Sequence, residues 1–547
     1  MKILQVVHRF PPERIAGTEL YTLAISRGLL GRGHQCYVLA GSGQASRGGT
    51  LTRGFEDGIH VTRVAGSGRR AEGWFPAYDP EIEVCVRGYL GDLRPDVIHV
   101  QHWVTLTANL IALCSEMGFP TVVTLHDLAV ICPRMDRIRF DKAFCTDPLS
   151  TAPCLICVQR EPWQEDDEVQ AELALRQQMI TEGLNLADRL LVPSQAQKDF
   201  LAKLLDAGAD RLEVLPHGTP RDLKPGRASG EAIPRRPLRL GHWGHLMWQK
   251  GPHLLLEAVR RLPDPGAVEV HLIGEAGDLS YRQELDALAE HLPVTFHGPF
   301  APKDLGPLDL DVAIFPSLCH ESHSFVLDEA FQLGLPVVVS DRGALAERVG
   351  SAGLTFSAGM VENLAAAIER LLAEPALLEQ LRRAIPRDPP HPMSEHLVAL
   401  ERIYKGVTSS KRQRSVSQPD YLQILVLRQQ GLAEREAAIQ QEQLRFNELH
   451  SRSREYHTHL ERDLEKAKAD YQQLLGEARE YQAQLERQLA EAKASHQQLD
   501  TYLQQQIKSV SHERDRLNQV LERLQSHSVI SLYLRAWERL FGSPEGR

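Results

Sequence analysis

The chain has 547 residues, 42% of them apolar and 24% charged, and a formal net charge of −10. That length implies roughly three domains with ample chain to bury their cores, and the acidic balance leaves no electrostatic footprint for nucleic acid, so no nucleic acid is expected as a partner. No run of about 18 apolar residues marks a membrane-spanning helix, and the apolar stretch after Lys2 is broken at Gln5, too brief for a secretory signal. A cytoplasmic protein, soluble or peripheral to the inner face of a membrane, is expected.

Up to residue 219, short apolar runs at 3–7, 36–39, 97–100, 121–125 and 189–192 alternate with helical stretches such as 19–30. That alternation predicts an α/β domain on a doubly wound parallel sheet. Phe10-Pro11-Pro12 leads to Ala16-Gly17-Thr18-Glu19, a turn into an amphipathic helix with Thr18 as N-cap. His126-Asp127 follows the run at 121–125, at the strand end where α/β sheets bind ligands. His126 is a candidate site residue or a satisfied structural histidine, with Asp127 beside it to orient the ring. Four of the eight cysteines, Cys132, Cys145, Cys154 and Cys157, fall in one insertion over 132–157. Without a secretory signal a disulfide framework is disfavoured. Two readings stay open: a closed four-thiolate structural zinc site, or four reduced thiols.

After a polar, proline-rich stretch at 220–237, runs at 238–240, 268–273, 294–296, 312–315 and 337–339 predict a second α/β domain over 220–405. Two such domains facing across a cleft put strand C-terminal ends, and hence ligands, at their interface. His245 and Lys250 lie in the loop 244–251 after its first strand. Asp309-Leu310-Asp311 reads as a strand-start turn. The richest segment is 315–347, FPSLCHESHSFVLDEAFQLGLPVVVSDRGALAE. On one continuous helix Glu321 and Glu329 would sit about 80° around and about 12 Å along the axis, too far apart to share a small ligand. A helix starting at 322–324 leaves Glu321 in the loop before it and Glu329 on its second turn, both facing a ligand at the helix N-terminus. The backbone N–H groups around Ser324, Phe325 and Val326 and the helix dipole favour an anion there, such as a diphosphate. Gly334-Leu335-Pro336 ends this helix, and a helix at 393–404 closes the globular part.

Residues 406–420, with Gly406 as helix stop, read as a polar, basic, serine-rich linker. From 421 to 526 there is no proline and glycine occurs only twice, which predicts a long α-helix. Leu464, Ala467, Tyr471, Leu474, Ala478, Tyr481 and Leu485 alternate spacings of three and four, as coiled-coil core positions do. The segment 455–474 recurs 25 residues later, which gives about 3.57 residues per core turn and a nearly straight supercoil. A homo-oligomer through 421–526 is expected; a solvated single helix is the alternative. Within the C-terminal segment up to 547, residues 532–541 read either as an amphipathic membrane-surface segment or as a helix end packed on its own oligomer.

The segment 315–347 resembles the E-x7-E motif of retaining GT-B glycosyltransferases of glycosyltransferase family 4, with Pro316-Ser317 before it and Gly334-Leu335-Pro336-Val337-Val338 after it. The resemblance spans residues 1–405. It implies two Rossmann-like domains, 1–219 on the acceptor side and 220–405 binding the nucleotide-sugar donor, with 393–404 crossing back to the first domain. It further implies Glu321 and His126 as catalytic residues, and Gly17, Lys250, His245, Ser324, Phe325, Val326 and Glu329 as donor-binding residues. The implied reaction is retaining and metal-independent, needs no cofactor, and moves a sugar to a glycan or lipid-linked acceptor in bacterial surface polysaccharide synthesis. The chain departs from the family pattern where His323-Ser324 replace an aromatic residue and Gly, where Ala16 replaces Gly, and where His245 replaces Arg. Two other readings are an epimerase or phosphorylase on the same fold and a nucleotide-sugar-binding scaffold whose rod recruits partners.

Overall fold

The computed structural model describes residues 1–42, 49–65, 80–103, 106–147, 149–158, 166–205, 208–220, 223, 237–385, 391–409, 421–493 and 499–526. The chain divides into two compact units, Met1–Tyr421 and Leu422–Arg547.

The first unit opens with β1 (Lys2–Val7), α1 (Gly17–Gly31), β2 (Gln35–Ser42), β3 (Leu51–Glu56), β4 (Ile59–Ala65), α2 (Pro80–Leu93), β5 (Val97–Val100), α3 (Leu110–Glu116), β6 (Thr121–Thr124), α4 (Asp166–Leu186), β7 (Arg189–Val192), α5 (Gln195–Ala202) and β8 (Leu212–Val214). These strands form a sheet in the order β3-β4-β2-β1-β5-β6-β7-β8, parallel except where β3 meets β4. The two-residue period of a strand sorts its side chains onto two faces. Leu4, Val6, Ile98, Val100 and Val123 enter a core with Ile82, Val86, Leu110, Ile111 and Ile180, while Ile3, Val97, Val122 and Leu191 meet Tyr21, Ile25 and Leu29 of α1.

The chain continues through β9 (Leu238–Trp243), α6 (Pro252–Arg260), β10 (Val268–Ile273), α7 (Leu279–Ala289), β11 (Val294–Gly298), β12 (Val312–Phe315), α8 (Phe325–Gln332), β13 (Val337–Ser340), α9 (Ala344–Arg348), β14 (Gly353–Phe356), α10 (Val361–Ala373), α11 (Pro375–Arg383) and α12 (Met393–Ser409). The second sheet is parallel, in the order β11-β10-β9-β12-β13-β14. Each sheet starts in its middle, grows to one side and then crosses to the other. Switch points therefore fall between β1 and β5 and between β9 and β12, where an open α/β sheet leaves a crevice for ligand. This is the two-Rossmann GT-B architecture expected from the sequence.

The expected strands are all present. The antiparallel β3–β4 hairpin, three-residue β8 and edge strand β14 were not expected, because LTRGFE, LEV and GLTF are short or polar and carry no strong apolar run. Helix α12 returns to the first domain: Leu397, Leu400, Tyr404 and Val407 join the face of its core that holds Ile3 and Val97. It approaches α1 so closely that a Cβ on Gly28 would lie 2.4 Å from Leu397. Tyr21 Oη lies 2.7 Å from His396 Nε2, and Glu401 accepts from Arg32 at 2.8 Å. The helix runs past Gly406 to Ser409, so Gly406 is not its stop. Of the linker expected over 406–420, residues 406–409 belong to this helix and 410–420 lie outside the described residues.

The second unit consists, among its described residues, of α13 (Tyr421–Lys493) from its second residue onward and α14 (Leu499–Ser526). It is strongly helical, as expected. Leu464, Leu474 and Tyr481 stand exposed. The segment 532–541 lies outside the described residues, and no helix among those described is long and apolar enough to cross a membrane.

Candidate active site

Two loops at the β9/β12 switch point build the site. After β9 the chain makes a single 3-10 turn, Trp248–Lys250, and enters α6 through Gly251. Gly251 has φ 74°, and a Cβ there would lie 2.1 Å from the carbonyl oxygen of Pro316, so only glycine lets the Lys250 turn press on the chain leaving β12. That chain carries Glu321. Its backbone is held from the far side by Gly343, at φ 66°, where a Cβ would lie 2.4 Å from the Glu321 carbonyl oxygen. Ala344 N–H donates to that same oxygen at 2.7 Å.

Between these clamps Lys250 Nζ donates to Glu321 Oε1 at 2.7 Å, and Ser317 Oγ donates to the same oxygen at 2.6 Å. The Glu321 side chain is 11% exposed and that of Lys250 37%. Burial pushes the Glu321 carboxyl up, but the Lys250 charge and the hydrogen bonds from Lys250 and Ser317 outweigh it and hold the group below its ordinary range. Burial likewise pushes Lys250 down, and Glu321 reverses this and raises it. Both groups are therefore charged across the neutral range.

Helix α8 begins at Phe325, after Ser324 in a left-handed conformation at φ 72° with no side-chain cap. The first-turn N–H groups of Phe325 and Val326 thus open the helix, one residue after the latest of the expected starts, 322–324. Glu329 is 3% exposed, and Trp243 Nε1 at the end of β9 donates to its Oε2 at 2.8 Å. Asp328, beside it, is also buried; its carboxylate pairs with Arg348 and lies 3.0 Å from His323 Nε2. Arg348 also donates to the His323 carbonyl at 2.6 Å, so an arginine from α9 fastens the turn before α8. The sequence reading missed Asp328 and Arg348, although Asp in a helix's first turn was a visible signal.

The first domain closes onto this loop. Ser322 Oγ donates to the carbonyl oxygen of His126, and Gln195 and Ala196 N–H, at the start of α5, donate to Glu347 at 3.1 and 2.6 Å. The insertion 132–157 also reaches across: Phe144 lies 4.3 Å from the Arg342 guanidinium and Lys142 Nζ 5.3 Å from the Trp248 ring. His245, expected near phosphate, instead has Nε2 3.2 Å from the Ile15 carbonyl oxygen. Gly17 is the first residue of α1, and a Cβ there would meet Phe325 at an ordinary 3.7 Å, so protein packing alone does not demand glycine. The N-cap of α1 is Ala16, not Thr18; the Glu19 carboxylate accepts the Ala16 N–H at 3.1 Å.

Both ring nitrogens of His126 are occupied. Nε2 lies 2.7 Å from Gln101 Oε1, whose own amide nitrogen donates to Gln5 at 2.8 Å, and Nδ1 lies 3.1 Å from His217 Nε2. Burial pushes His126 down to about 3, so it is neutral. The ring of His126, which the resemblance implies is catalytic, therefore has no open nitrogen in this conformation, and the residue faces the cleft loop with its carbonyl. Asp127 does not orient His126; it accepts from His102 Nε2 at 3.1 Å and from Ala129 N–H at 2.8 Å.

Cys132, Cys145, Cys154 and Cys157 line one cavity of about 20 Å³. All four are free thiols, and burial together with the three neighbouring thiols pushes Cys154 up to about 11. Among the described residues no group of three or more His, Cys, Asp or Glu side chains is arranged to hold a metal ion. The fold thus gathers the four cysteines that the sequence singled out, without converging them into a metal-ligand set.

The model of glycosyltransferase family 4 matches residues 15–223, and that of the glycosyl transferases group 1 matches residues 237–374. Together they span more than half of the chain. D-inositol 3-phosphate glycosyltransferase of Rhodococcus opacus (strain B4) is 30% identical over 53% of this chain and 63% of its own length. The chain thus matches less than two thirds of that relative. Glycogen synthase of Mycobacterium tuberculosis (strain ATCC 25618 / H37Rv) is 25% identical over 70% of this chain and 89% of its own. Among solved structures, sucrose-phosphate synthase from Thermosynechococcus elongatus has a TM-score of 0.54 at 17% identity, covering 74% of this chain and 99% of that one. HepE from Anabaena, solved in complex with UDP, has a TM-score of 0.50 at 18% identity, covering 75% of this chain and 100% of that one. At these identities the solved structures speak for the fold.

Proposed function

Because the chain belongs to glycosyltransferase family 4, we propose that it moves a sugar from a nucleotide-sugar donor to a glycan or lipid-linked acceptor with retention of anomeric configuration. The observation that carries this reading is the Lys250–Glu321 pair at 2.7 Å, held at the switch point beside the start of α8. Breaking the bond between sugar C1 and a diphosphate leaves an anion on one side and a cationic ring on the other. A lysine, the Phe325 and Val326 N–H groups and the α8 dipole stabilise the anion where it develops. Glu321, ionised and seated beside Lys250, accepts from sugar hydroxyls and lies near the cationic centre. Glu329, oriented by Trp243, accepts from the ribose hydroxyls. The departing phosphate takes the proton of the acceptor hydroxyl, which attacks from the face the leaving group vacates. In this reading no divalent ion is called for, because the charge is met by Lys250 and the helix start. The acceptor belongs to a bacterial-type surface polysaccharide.

One observation favours a second reading, a nucleotide-sugar-binding scaffold: His245 stands where the family carries a phosphate-binding Arg, and it reaches Ile15 instead. The test is nucleoside diphosphate release from a panel of UDP-, GDP-, ADP- and dTDP-sugars with candidate acceptors, with and without chelator, for wild type and Glu321→Ala. Donor-specific, chelator-insensitive release that the substitution abolishes supports the transferase. Tight donor binding without turnover on any acceptor supports the scaffold.

A further inference from the structure

Helix α13 has 73 residues, and its described apolar side chains are not covered by anything within its own unit. Isolated helices owe their stability to a packed face or to dense ion pairing between successive turns. Ion pairs among its described residues, such as Arg452–Glu448, His457–Glu461 and Lys468–Glu465, join solvent-exposed side chains, where a pair adds little. A packed face is available. Leu460, Leu464, Ala467, Tyr471, Leu474, Ala478, Tyr481 and Leu485 follow one another at alternating four- and three-residue steps, which puts Leu464 at a heptad a position and Ala467 at d. Leu464, Leu474 and Tyr481 are 49%, 46% and 48% exposed, a large solvent cost for apolar side chains on one stripe.

The charges flanking this seam identify its occupant and the direction of packing. In that register the g positions are Asp463, Asp470, Glu477 and Gln484, and the e positions Glu461, Lys468, Leu475 and Gln482. An antiparallel pair of identical helices sets g against g, which here opposes acid to acid wherever Asp463, Asp470 and Glu477 meet one another. A parallel, in-register pair sets each g against the e position five residues on in the other copy, which brings Asp463 of one helix to Lys468 of its partner in both directions. The Glu465 that Lys468 contacts within its own helix at 2.6 Å is solvent-exposed and competes weakly. We propose that a second copy of this chain covers the seam 460–485, as a parallel, in-register two-stranded coil.

The inference does not depend on the catalytic reading, and its test reads mass and affinity. Full-length protein in sedimentation equilibrium at micromolar concentration is expected to have twice the chain mass; a monomer, or an assembly of another size, overturns the proposal. Leu464→Asp/Leu474→Asp is expected to give a monomer with unchanged donor binding, and retention of the dimer overturns the assignment of the seam. Direction is read from charge. Asp463→Lys opposes two like-charge pairs in the parallel arrangement and should weaken the dimer about tenfold, with Asp463→Lys/Lys468→Asp restoring it. Tighter association of Asp463→Lys alone overturns parallel packing, because it is the result that antiparallel g-to-g contacts would produce.

Discussion

Lys250 and Glu321 meet through one oxygen. Nζ lies 2.7 Å from Oε1, the atom that also accepts from Ser317 Oγ at 2.6 Å. Each charge is held by the other against the cost of burial, and the two come from loops that leave different strands of the second sheet.

Removing one partner strands the other. Glu321→Gln keeps the shape and loses the charge, and should lower turnover about 100-fold or more while the protein stays folded. The stability effect has a defined pH window. A carboxyl whose folded pKa is depressed contributes above its ordinary value of 4.5 and loses that contribution as pH falls through the folded pKa, and raised Lys250 contributes below its ordinary 10.5. The wild-type advantage over Glu321→Gln in urea unfolding should therefore be level near neutrality and shrink as the solution is taken below about pH 4. An advantage that grows in acid contradicts the pair.

Gly343→Ala should act on catalysis more than on stability. The added Cβ would fall 2.4 Å from the Glu321 carbonyl oxygen at φ 66°, so the loop carrying Glu321 must move. A fall in kcat of about tenfold or more is expected, since a displacement of about 1 Å in a positioned group can cost about 100-fold. Gly277→Ala, where a Cβ meets nothing within 4 Å, is the control and should leave kcat unchanged.

Ser324→Gly should stabilise the fold. Ser324 holds φ 72° at the N-cap of α8 without a side-chain hydrogen bond to the helix, so the serine bears left-handed strain and returns no cap. Relief is worth about 1 kcal/mol, partly offset by the added freedom of glycine in the unfolded chain. A rise in Tm of about 1–2 °C follows for a protein of this size. A lower Tm would mean that the serine makes a contact that outweighs the strain.

The histidines beneath the cleft should make the protein acid-sensitive well above the carboxylate range. Burial pushes His126 down to about 3 and His323 and His396 down to about 4, and lowers His217 as well. These groups stay neutral in the folded protein while the unfolded chain takes up protons around 6.5, so stability is complete above that value and falls as pH drops below it. Each contributes a loss of about 1 kcal/mol by about pH 5.5. Chemical denaturation at pH 7.5 and pH 5.5 measures it, and an unchanged unfolding free energy would show that the cluster accepts protons in place.

Most of the fold and the outline of the site lay open in the sequence, because the signals concerned are local. The runs that became β12 and β13 announce buried parallel strands through continuous apolar character, and the segment from β12 through α8 announces itself through Glu321, Glu329 and the Gly334-Leu335-Pro336 stop within a few turns of chain. What failed was either weakly patterned, as in β3 and β8, or depended on partners remote in sequence. Nothing near His126 reveals that His217, 91 residues away, occupies its second nitrogen. Tyr21 meets His396 from 375 residues away, and His245 spends its Nε2 on Ile15 across the cleft. Residue type and spacing determined which groups are candidates for the chemistry and nearly where the helices and strands begin, since backbone preference and apolar periodicity act over a few residues. Which lone pairs and protons stay open to a ligand was decided only when the two sheets and α12 closed on one another, because hydrogen bonds form between whatever neighbours folding brings within about 3 Å, regardless of their distance along the chain.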